Sequence, residues 1–408
     1  MKKICLLKNP IQEYAWGSHT AIADLLGNKF PSTKPQAELW MGAHPKAPSL
    51  VKYDDKWLSL IELIKQFPAD ILGKEIAAKF DNKLPYLFKV LAASKPLSIQ
   101  AHPGIKQAKQ GFEKENRLKI PLDSPNRNYK DKNHKPECIC ALTHFVALYG
   151  FRKISEIISL MEKICLKVLC KELNNLKRQP NSEGLKSFFR SIITINGRKK
   201  KQTIELAITN AQKLSEANHS FKWMINLYKE YPDDMGIFAP ILLNLISLKP
   251  GQALFLPSGE LHAYLDGLGV ELMANSDNVL RGGLTKKHID VPELLNVLNF
   301  EETDVNILLS QKDKNCEVVY HSMAEEFVLS VISDEKNISY TSPEKRSVEI
   351  ILCTDGKASI TDISINENIL LKKGTSVIIP SSVNKYSIEG KATLYKASVP
   401  VESQLLTG

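Results

Sequence analysis

The 408-residue sequence predicts a mainly β protein with a small helical region inserted between its β segments. A strand-like segment near residue 100 alternates polar and apolar side chains. Apolar residues recur at helical spacing between residues 152 and 232, and a strand–turn–strand unit then occurs twice, 123 residues apart. This length exceeds that of one small domain, so the pattern indicates more than one β unit and a separate helical one.

Residues 1–150 contain short apolar runs separated by Pro, Gly and Asn, for example over 84–91 and 145–150. Runs of this length between turn residues are typical of strands. One early helix is expected over 58–67, where apolar residues follow the helical period.

The most informative strand lies between Pro96 and Pro103. Side chains alternate between the two faces of a strand. The apolar face would carry Leu97, Ile99 and Ala101, and the polar face would carry Ser98, Gln100 and His102. This polar face suits a metal or a substrate inside a β-barrel, although a single histidine beside a strand is also a common structural residue.

Residues 152–232 have the texture of helices, with apolar residues three and four positions apart. The densest basic block of the chain, residues 198–201, lies there and is interpreted as a solvated turn. Because no aromatic residues alternate with these charges, the block does not favour nucleic-acid binding. We expect strand structure to resume at residue 237.

Residues 248–258 and 371–381 share a pattern of Gly, apolar strand and Pro-Ser, and the match continues to Gly267 and Gly390. Repetition at a constant offset predicts two β units of the same kind. His262 of the first copy corresponds to Lys385 of the second. If the first copy binds a ligand through His262, the second has lost that ligand.

The composition is that of an ordinary soluble protein, with 43% hydrophobic residues and a formal net charge of +9. A mildly basic surface can attract an anionic small substrate. The seven cysteines include Cys5, Cys165, Cys170 and Cys353 in apolar segments, which predicts free buried thiols in a reducing compartment. No signal sequence and no apolar run long enough to cross a bilayer is evident, so we expect a cytoplasmic protein.

Four side chains beside predicted strands form a candidate metal-binding set: Gln100, His102, Glu137 and His262. Two imidazoles, a carboxylate and a carboxamide suit Zn²⁺, and are also compatible with Mn, Fe or Co. Without thiolates this is not a closed structural zinc site, so water or substrate has room to bind. Each residue also has a structural explanation, such as a surface carboxylate for Glu137 or a hydrogen-bonded core histidine for His262.

Two basic residues follow a Ser-Asp-Asn turn at 276–278. Arg281 and Lys287 lie on either side of a Gly-Gly pair that allows close backbone approach. They could bind an anion such as phosphate, or lie in a solvated loop.

Motifs along nearly the whole chain resemble those of type I mannose-6-phosphate isomerases. They are residues 9–18 (NPIQEYAWGS), 38–42 (ELWMG), 97–103 (LSIQAHP), 129–137 (YKDKNHKPE), 277–285 (DNVLRGGLT) and 394–400 (LYKASVP). The resemblance implies two cupin-type jelly-roll barrels, the second degenerate, and a small α-helical domain. The implied divisions are a catalytic barrel from 1–151 and 236–305, a helical domain from 152–235, and the second barrel from 306–408.

The resemblance also implies the residues of the active site. One Zn²⁺ per chain would be bound by Gln100, His102, Glu137 and His262. The family's catalytic arginine falls on Arg281, and further active-site positions fall on Lys135, Glu271 and Asp277. Lys89, Ser98 and Lys287 match positions associated with the substrate phosphate.

The implied activity interconverts mannose 6-phosphate and fructose 6-phosphate in carbohydrate metabolism and GDP-mannose biosynthesis. Such a reaction needs a group that moves a proton, and Glu271, Asp277 and His134 are the candidates. We expect a monomer whose partner is a sugar phosphate. Binding to nucleic acid or to a membrane is not expected. The alternatives are an Fe(II) cupin oxygenase, which the Gln ligand disfavours, and a non-catalytic sugar-phosphate-binding cupin.

Overall fold

The computed structural model describes residues 1–165, 167–309, 316–334 and 336–401. The helices are α1 (Ala21–Leu25), α2 (Leu60–Gln66), α3 (Pro68–Leu72), α4 (Lys74–Lys79), α5 (Ile105–Arg117), α6 (Ile154–Cys165), α7 (Cys170–Arg178), α8 (Ser182–Ile193), α9 (Gly197–Leu214), α10 (His219–Glu230), α11 (Ala239–Leu242) and α12 (Val291–Val297). A 3-10 helix covers Met235–Phe238.

The strands are β1 (Cys5–Lys8), β2 (Ile11–Gln12), β3 (Glu38–Gly42), β4 (Leu50–Tyr53), β5 (Lys56–Ser59), β6 (Tyr86–Ala93), β7 (Ile99–Ala101), β8 (Glu137–Ala141), β9 (Phe145–Phe151), β10 (Leu243–Leu248), β11 (Ala253–Leu256), β12 (His262–Ala274), β13 (Leu280–Gly283), β14 (Ile307–Leu308), β15 (Glu317–Tyr320), β16 (Val328–Ser333), β17 (Ile338–Thr341), β18 (Glu349–Asp362), β19 (Glu367–Lys372), β20 (Ser376–Ile379) and β21 (Tyr386–Ser398). The prediction of a mainly β chain with a helical insertion is confirmed.

The first sheet is built around the long strand β12. The C-terminal half of β12 pairs with β6 and β8, and its N-terminal end pairs with β7 and β9, all antiparallel. Both β6 and β8 are buried along their whole length, as their apolar sequences require. Each contains one charged residue, Lys89 in β6 and Glu137 in β8. These charges therefore need partners inside the protein.

The second sheet contains the C-terminal strands in the order β15-β16-β21-β18-β20, followed by β1, β4 and β5. Strand β1 pairs with β20, with Cys5 opposite Ile378. The expected division assigns residues 1–151 to the first β unit, and within this range β1 also pairs with a strand of the second sheet. The pairing joins segments far apart in the chain, so local sequence patterns do not predict it. The expected second unit, 306–408, includes residues 310–315, 335 and 402–408, which lie outside the described residues.

The predicted repeat corresponds to matching structure in the two sheets. Strands β11 and β12 of the first copy correspond to β20 and β21 of the second. The turn glycines Gly251 and Gly374 have φ values of 82° and 83°, and the strand glycines Gly267 and Gly390 have 121° and 133°. A Cβ atom at Gly267 would lie 2.6 Å from the backbone oxygen of His144, just before β9, and one at Gly390 would lie 2.6 Å from the backbone oxygen of Lys357 in β18. Both copies therefore need glycine where a neighbouring strand approaches closely.

Helices α6 to α10 form the inserted helical region, and their apolar faces pack into one core with β9, β12 and α11. Two details of the prediction are wrong. Residues 198–201 lie in the first turns of α9 rather than in a turn, with Lys199 and Lys200 paired to Glu172 and Asp233. The chain stays helical to Leu242, so strand structure resumes at 243 instead of 237.

All seven cysteines lie in described residues and are free, as predicted. Five of them are buried, whereas Cys316 is half-buried and Cys170, contrary to expectation, is exposed at the start of α7. Cys140 lies between the sheets, where its sulfur is 3.4 Å from the Tyr320 hydroxyl.

The second sheet encloses a buried charge cluster centred on Lys396. Its Nζ lies 2.7 Å from Oε1 of Glu317 and 3.3 Å from Oε1 of Glu349. Burial alone would lower the pKa of Lys396, but attraction to Glu349 and Glu317 outweighs burial and raises it. Burial would raise the pKa of Glu317, but Lys396 outweighs burial and lowers it. The cluster thus stays ionised inside the second sheet.

Candidate active site and metal centre

Three of the predicted ligands meet where β7, β8 and β12 come together. His102 follows β7, Glu137 begins β8 and His262 begins β12. The Nε2 atoms of His102 and His262 lie 3.4 and 3.2 Å from the two carboxylate oxygens of Glu137. All three side chains are buried, and one ligand atom from each lies within 4.8 Å of the other two. These residues could hold one metal ion.

The hydrogen bonds of the two histidines leave the same ring nitrogen free in each. Nδ1 of His102 lies 2.7 Å from the carbonyl of Asn278, and Nδ1 of His262 lies 3.1 Å from the carbonyl of Glu260. A carbonyl only accepts, so Nδ1 carries the proton in both rings and Nε2 presents its lone pair. Nε2 of His102 is buried without a hydrogen-bond partner among the described residues. An orphaned buried acceptor opposite a carboxylate fits a metal ligand.

The charge balance around Glu137 also fits a cation. Nζ of Lys135 lies 3.0 Å from Oε1 of Glu137. Burial would raise the pKa of Glu137, but Lys135 and the histidines outweigh burial and lower it. Burial, followed by repulsion from Lys135, lowers the pKa of His102 to about 4. A carboxylate and a neutral imidazole are the forms that bind a metal.

Gln100, the fourth predicted ligand, stands beside this cluster. In the antiparallel pairing of β7 it lies opposite His262 on one side and Arg281 on the other. Paired residues on neighbouring antiparallel strands project from the same face. The strand register therefore places the amide and the guanidinium on the face that carries His262.

A cleft of about 730 Å³ lies beside the His102–Glu137–His262 cluster, with the neighbouring residues Gln100 and Lys135 in its lining. Its lining contains seven predicted site residues: Lys89, Ser98, Gln100, Lys135, Asp277, Arg281 and Lys287. Six lysines or arginines line it against three carboxylates, because Lys46 and Lys286 add to the predicted cations. An excess of positive charge in a concave site favours an anionic ligand.

Lys89 and Glu271 form a buried ion pair in the wall of the cleft. They are direct partners in the pairing of β6 with β12, and Nζ of Lys89 lies 2.9 Å from Oε2 of Glu271 and 3.6 Å from Oε1 of Glu38. Burial would lower the pKa of Lys89, but Glu271 and Glu38 outweigh burial and raise it. Burial raises the pKa of Glu271, and Glu137 adds to the rise while Lys89 opposes it. Glu271 is 3% exposed and lies behind the cleft lining.

Asp277 lies in the cleft lining and is held from both sides. Oδ1 is 3.5 Å from Nε2 of His44, and Oδ2 is 2.9 Å from Nζ of Lys46. Burial would raise the pKa of Asp277, but His44 and Lys46 outweigh burial and lower it. Asp277 is therefore an ionised carboxylate at neutral pH.

Arg281 and Lys287 are two of the cations in the cleft lining. Burial lowers the pKa of Arg281, and burial followed by repulsion from Arg281 and Lys46 lowers that of Lys287. Asp234 accepts a hydrogen bond from the backbone of Thr285, whose hydroxyl accepts one from the backbone of Lys287. The end of the helical region thus fixes the loop that carries Lys287.

His134, a predicted proton carrier, lies away from the cleft lining. Its Nε2 is 2.7 Å from Oε1 of Glu326, in the loop between β15 and β16. Both residues line a separate cavity of about 260 Å³.

Sequence reasoning had not singled out Glu38, Trp40, His44 or Lys46 as site residues, yet all four line the cleft. Glu38 and Trp40 belong to a motif noted for its resemblance, and a carboxylate within an otherwise apolar strand was the available signal. His44 and Lys46 follow β3 in a loop, and nothing local distinguished them.

The fold and the site define a metal-binding cupin protein with a cationic cleft. Family models match residues 4–154 (phosphomannose isomerase type I, catalytic domain), 166–243 (its helical insertion domain) and 324–399 (mannose-6-phosphate isomerase, cupin domain). Mannose-6-phosphate isomerase of Escherichia coli strain K12 is 40% identical over 392 residues, 95% of this chain and 97% of the relative. The mouse enzyme is 32% identical over 420 residues, 96% of this chain and 94% of its own.

A solved structure of a relative has the same fold as this chain. Mannose 6-phosphate isomerase from Salmonella typhimurium, bound to fructose 6-phosphate and zinc, superimposes with a TM-score of 0.90 at 36% identity. The match covers 98% of this chain and 100% of that one. The chain belongs to the type I mannose-6-phosphate isomerase family. Among the described residues, no helix has the length and apolarity that a bilayer crossing requires.

Proposed function

We propose that the protein is a zinc-dependent isomerase that interconverts mannose 6-phosphate and fructose 6-phosphate. The observation that carries the proposal is the His102–Glu137–His262 cluster behind a cleft lined by six cationic side chains. Membership in the family, and a relative that binds fructose 6-phosphate and zinc, support the same substrate and metal. Gln100 completes the proposed ligand set for one Zn²⁺ per chain.

An aldose–ketose isomerase moves one proton between C1 and C2 and another between the oxygens on those carbons. The C–H bond beside a carbonyl is a weak acid, so negative charge developing on oxygen must be stabilised. When bound, zinc supplies Lewis-acid polarisation of these oxygens. Arg281, which is near Gln100 in the strand register, supplies a fixed cation for the same charge.

Among the three candidate proton carriers, Asp277 lines the cleft, Glu271 is buried behind Lys89, and His134 faces another cavity. We assign the proton transfer to Asp277, because a general base must reach the proton that it removes. Asp277 is ionised and can accept a proton, and because His44 and Lys46 lower its pKa it is a weak base that returns the proton readily. Lys135 holds Glu137 and can donate a hydrogen bond to a substrate hydroxyl from the cleft wall.

Ser98 and Lys287 lie at the cleft surface and anchor the substrate phosphate, and Lys89, whose charge is shared with Glu271, is the third proposed phosphate contact. Binding energy from the phosphate, which does not react, then orients the sugar at the metal end. The catalytic unit in this proposal is the barrel of 1–151 and 236–305, flanked by the helical domain and a degenerate second barrel.

We place the protein in the cytoplasm as a monomer. We also propose that its reaction serves GDP-mannose biosynthesis, by forming or consuming mannose 6-phosphate. The free cysteines support a reducing compartment.

The test is a coupled assay for fructose 6-phosphate formed from mannose 6-phosphate. Activity should be lost on chelation and restored by zinc. Activity that survives complete removal of metal would overturn the proposal. Binding of the sugar phosphate without turnover by the zinc-loaded protein would instead favour a non-catalytic cupin.

The role of Arg281 is tested by Arg281→Ala, with the exposed Arg198→Ala as the matched control. Loss of one oxyanion-stabilising donor typically lowers kcat by about 10²–10³-fold. The control should behave as wild type. An Arg281→Ala variant within about threefold of wild-type kcat would remove the proposed role, because this is far below the expected loss.

A further inference from the structure

The loop that follows β3 brings a buried histidine against the carboxylate of Asp277. His44 is 3% exposed, and its ring packs edge-on against Trp40, with ring centres 4.8 Å apart. The backbone N–H of Lys46 points at Nδ1 of His44 from 3.3 Å. Packing and this contact fix the position of the imidazole before any substrate binds.

The contacts of His44 also determine which nitrogen carries its proton. Because Nδ1 accepts from the Lys46 backbone, a neutral imidazole carries its proton on Nε2. Nε2 lies 3.5 Å from Oδ1 of Asp277, so the N–H is directed at the carboxylate without the ring having to be charged. At this distance the contact is long for a hydrogen bond, and contacts in catalytic sites often shorten when substrate binds.

Asp277 is held at three points by two segments, the loop that follows β3 and the loop that contains Asp131. The His44 ring faces Oδ1, the Lys46 ammonium lies 2.9 Å from Oδ2, and the backbone N–H of Asp277 donates to Oδ2 of Asp131 at 2.8 Å. The Lys46 side chain is 65% exposed, so its ion pair is screened by water, whereas His44 is enclosed. The buried contact therefore determines the orientation of the carboxylate more than the exposed one does.

We propose that His44 is a positioning residue for the reaction, which acts by orienting the Asp277 carboxylate toward substrate in the cleft. The inference rests on the proposed function, in which Asp277 carries a proton. Lys46 assists from the cleft mouth, where it faces Asp277. His44 itself touches no reacting atom in this account, so its removal should change turnover rather than substrate affinity.

The test uses two conservative variants that separate the two nitrogens of His44. The amide N–H₂ of His44→Gln can replace the Nε2–H donor, whereas the shorter His44→Asn can replace only the Nδ1 acceptor. Misplacement of a catalytic group by about 1 Å costs up to about 10²-fold in rate. We expect His44→Asn to lower kcat by about 10- to 100-fold with KM within about threefold, and His44→Gln to recover most of the loss.

His19→Gln is the matched control, because His19 is an exposed histidine bonded to the carbonyl of Ser32. It should retain wild-type kcat. Lys46→Met should have a smaller effect than His44→Asn, since exposed ion pairs contribute little.

A double-mutant cycle with Asp277→Asn decides whether His44 acts through Asp277. If it does, adding His44→Asn to Asp277→Asn should change kcat by no more than about twofold. An undiminished loss in the double variant, or wild-type kcat in His44→Asn alone, would overturn the inference. Wild-type kcat in Asp277→Asn would show that Asp277 carries no proton, and the inference would fall with that role.

A crystal structure of His44→Asn gives a readout that does not depend on activity. The Asp277 carboxylate should rotate away from its wild-type position in that variant and keep it in His44→Gln. An unmoved carboxylate in His44→Asn would refute the inference even if the proposed isomerase activity were confirmed. Absence of isomerase activity in the wild-type protein, with the carboxylate displaced as expected, would refute the proposed function and leave only the orientation of Asp277 by His44.

Discussion

Replacing Asn278 by alanine should weaken both the fold and the metal centre, because this side chain ties two site loops together. Asn278 is fully buried. Its Oδ1 accepts the backbone N–H groups of Lys130 and Asp131 at 2.6 and 3.2 Å, and its Nδ2 donates to the carbonyls of Asp131 and Asn133 at 2.9 and 2.8 Å. The carbonyl of Asn278 itself accepts from His102 at 2.7 Å.

The magnitude follows from the groups left without partners. Alanine leaves two partly buried backbone N–H groups without an acceptor, at about 1–3 kcal/mol each, so the free energy of unfolding should fall by about 2–6 kcal/mol. The alanine variant keeps the backbone carbonyl that supports His102 but frees the loop that positions it, and loss of such support for a metal-bound histidine typically lowers metal affinity by about 10–100-fold. At equilibrium this corresponds to about 1.4–2.7 kcal/mol of binding free energy.

Zinc affinity is measured by competition between the metal-free protein and a chromogenic chelator, and stability by urea unfolding of the same samples. Asn126→Ala is the control, since Asn126 is exposed in the loop just before the site. A folded Asn278→Ala protein whose zinc affinity stays within about threefold of wild type would refute the reasoning, because the expected loss is larger. Such a result would mean that His102 keeps its orientation without the loop contact.

Three further predictions concern the loop that carries Lys287 and the buried charge cluster of the second sheet. Lys287→Met should raise KM by about tenfold, the loss of one charged contact, with kcat within about threefold in steady-state assays. A fall confined to kcat would contradict the anchoring role. Asp234→Ala should raise KM less than Lys287→Met does, because it only releases the loop that carries Lys287, and equal effects would argue against this indirect role. Lys396→Met should destabilise the protein by about 3–5 kcal/mol, the cost of breaking a buried ion pair, whereas Met at the exposed Lys391 of the same strand should not. The lowered pKa of Glu317 means that its stabilising contribution is complete above its ordinary pKa of 4.5 and disappears as the pH falls through the lower folded value. The raised pKa of Lys396 makes its contribution complete below 10.5, to be lost only as the pH rises through the higher folded value. In denaturant unfolding, the loss of unfolding free energy in Lys396→Met relative to wild type should therefore be greatest between pH 4.5 and 10.5 and should shrink in acid. A loss that does not depend on pH would contradict the proposal that Lys396 and Glu317 form an ionised pair.

The sequence by itself determined the features that follow from local periodicity. Alternation over 97–102 predicted which face of β7 is polar, and burial of Leu97, Ile99 and Ala101 agrees with it. The helical period predicted the inserted helices, and the repeated Gly and Pro-Ser pattern predicted two related β units. These patterns are legible because the buried face of each element repeats along the chain with the geometry of that element.

Site chemistry was partly legible for a different reason. His102, Glu137 and His262 are polar residues in apolar surroundings, and such residues require partners. Their types indicated a metal, and the resemblance supplied the arrangement. The tertiary structure showed that their ligand atoms meet within 4.8 Å.

Only the tertiary structure decided which distant residues act together. Strand β1 joins the second sheet because it finds its partner at β20, and His134 faces Glu326, 192 residues away, rather than the cleft. The contact between His44 and Asp277 likewise joins two segments that no local sequence pattern connects. Sequence periodicity reports the faces of single elements, whereas strand pairing and charge partners depend on contacts between elements far apart in the chain, and those contacts exist only once the chain has folded.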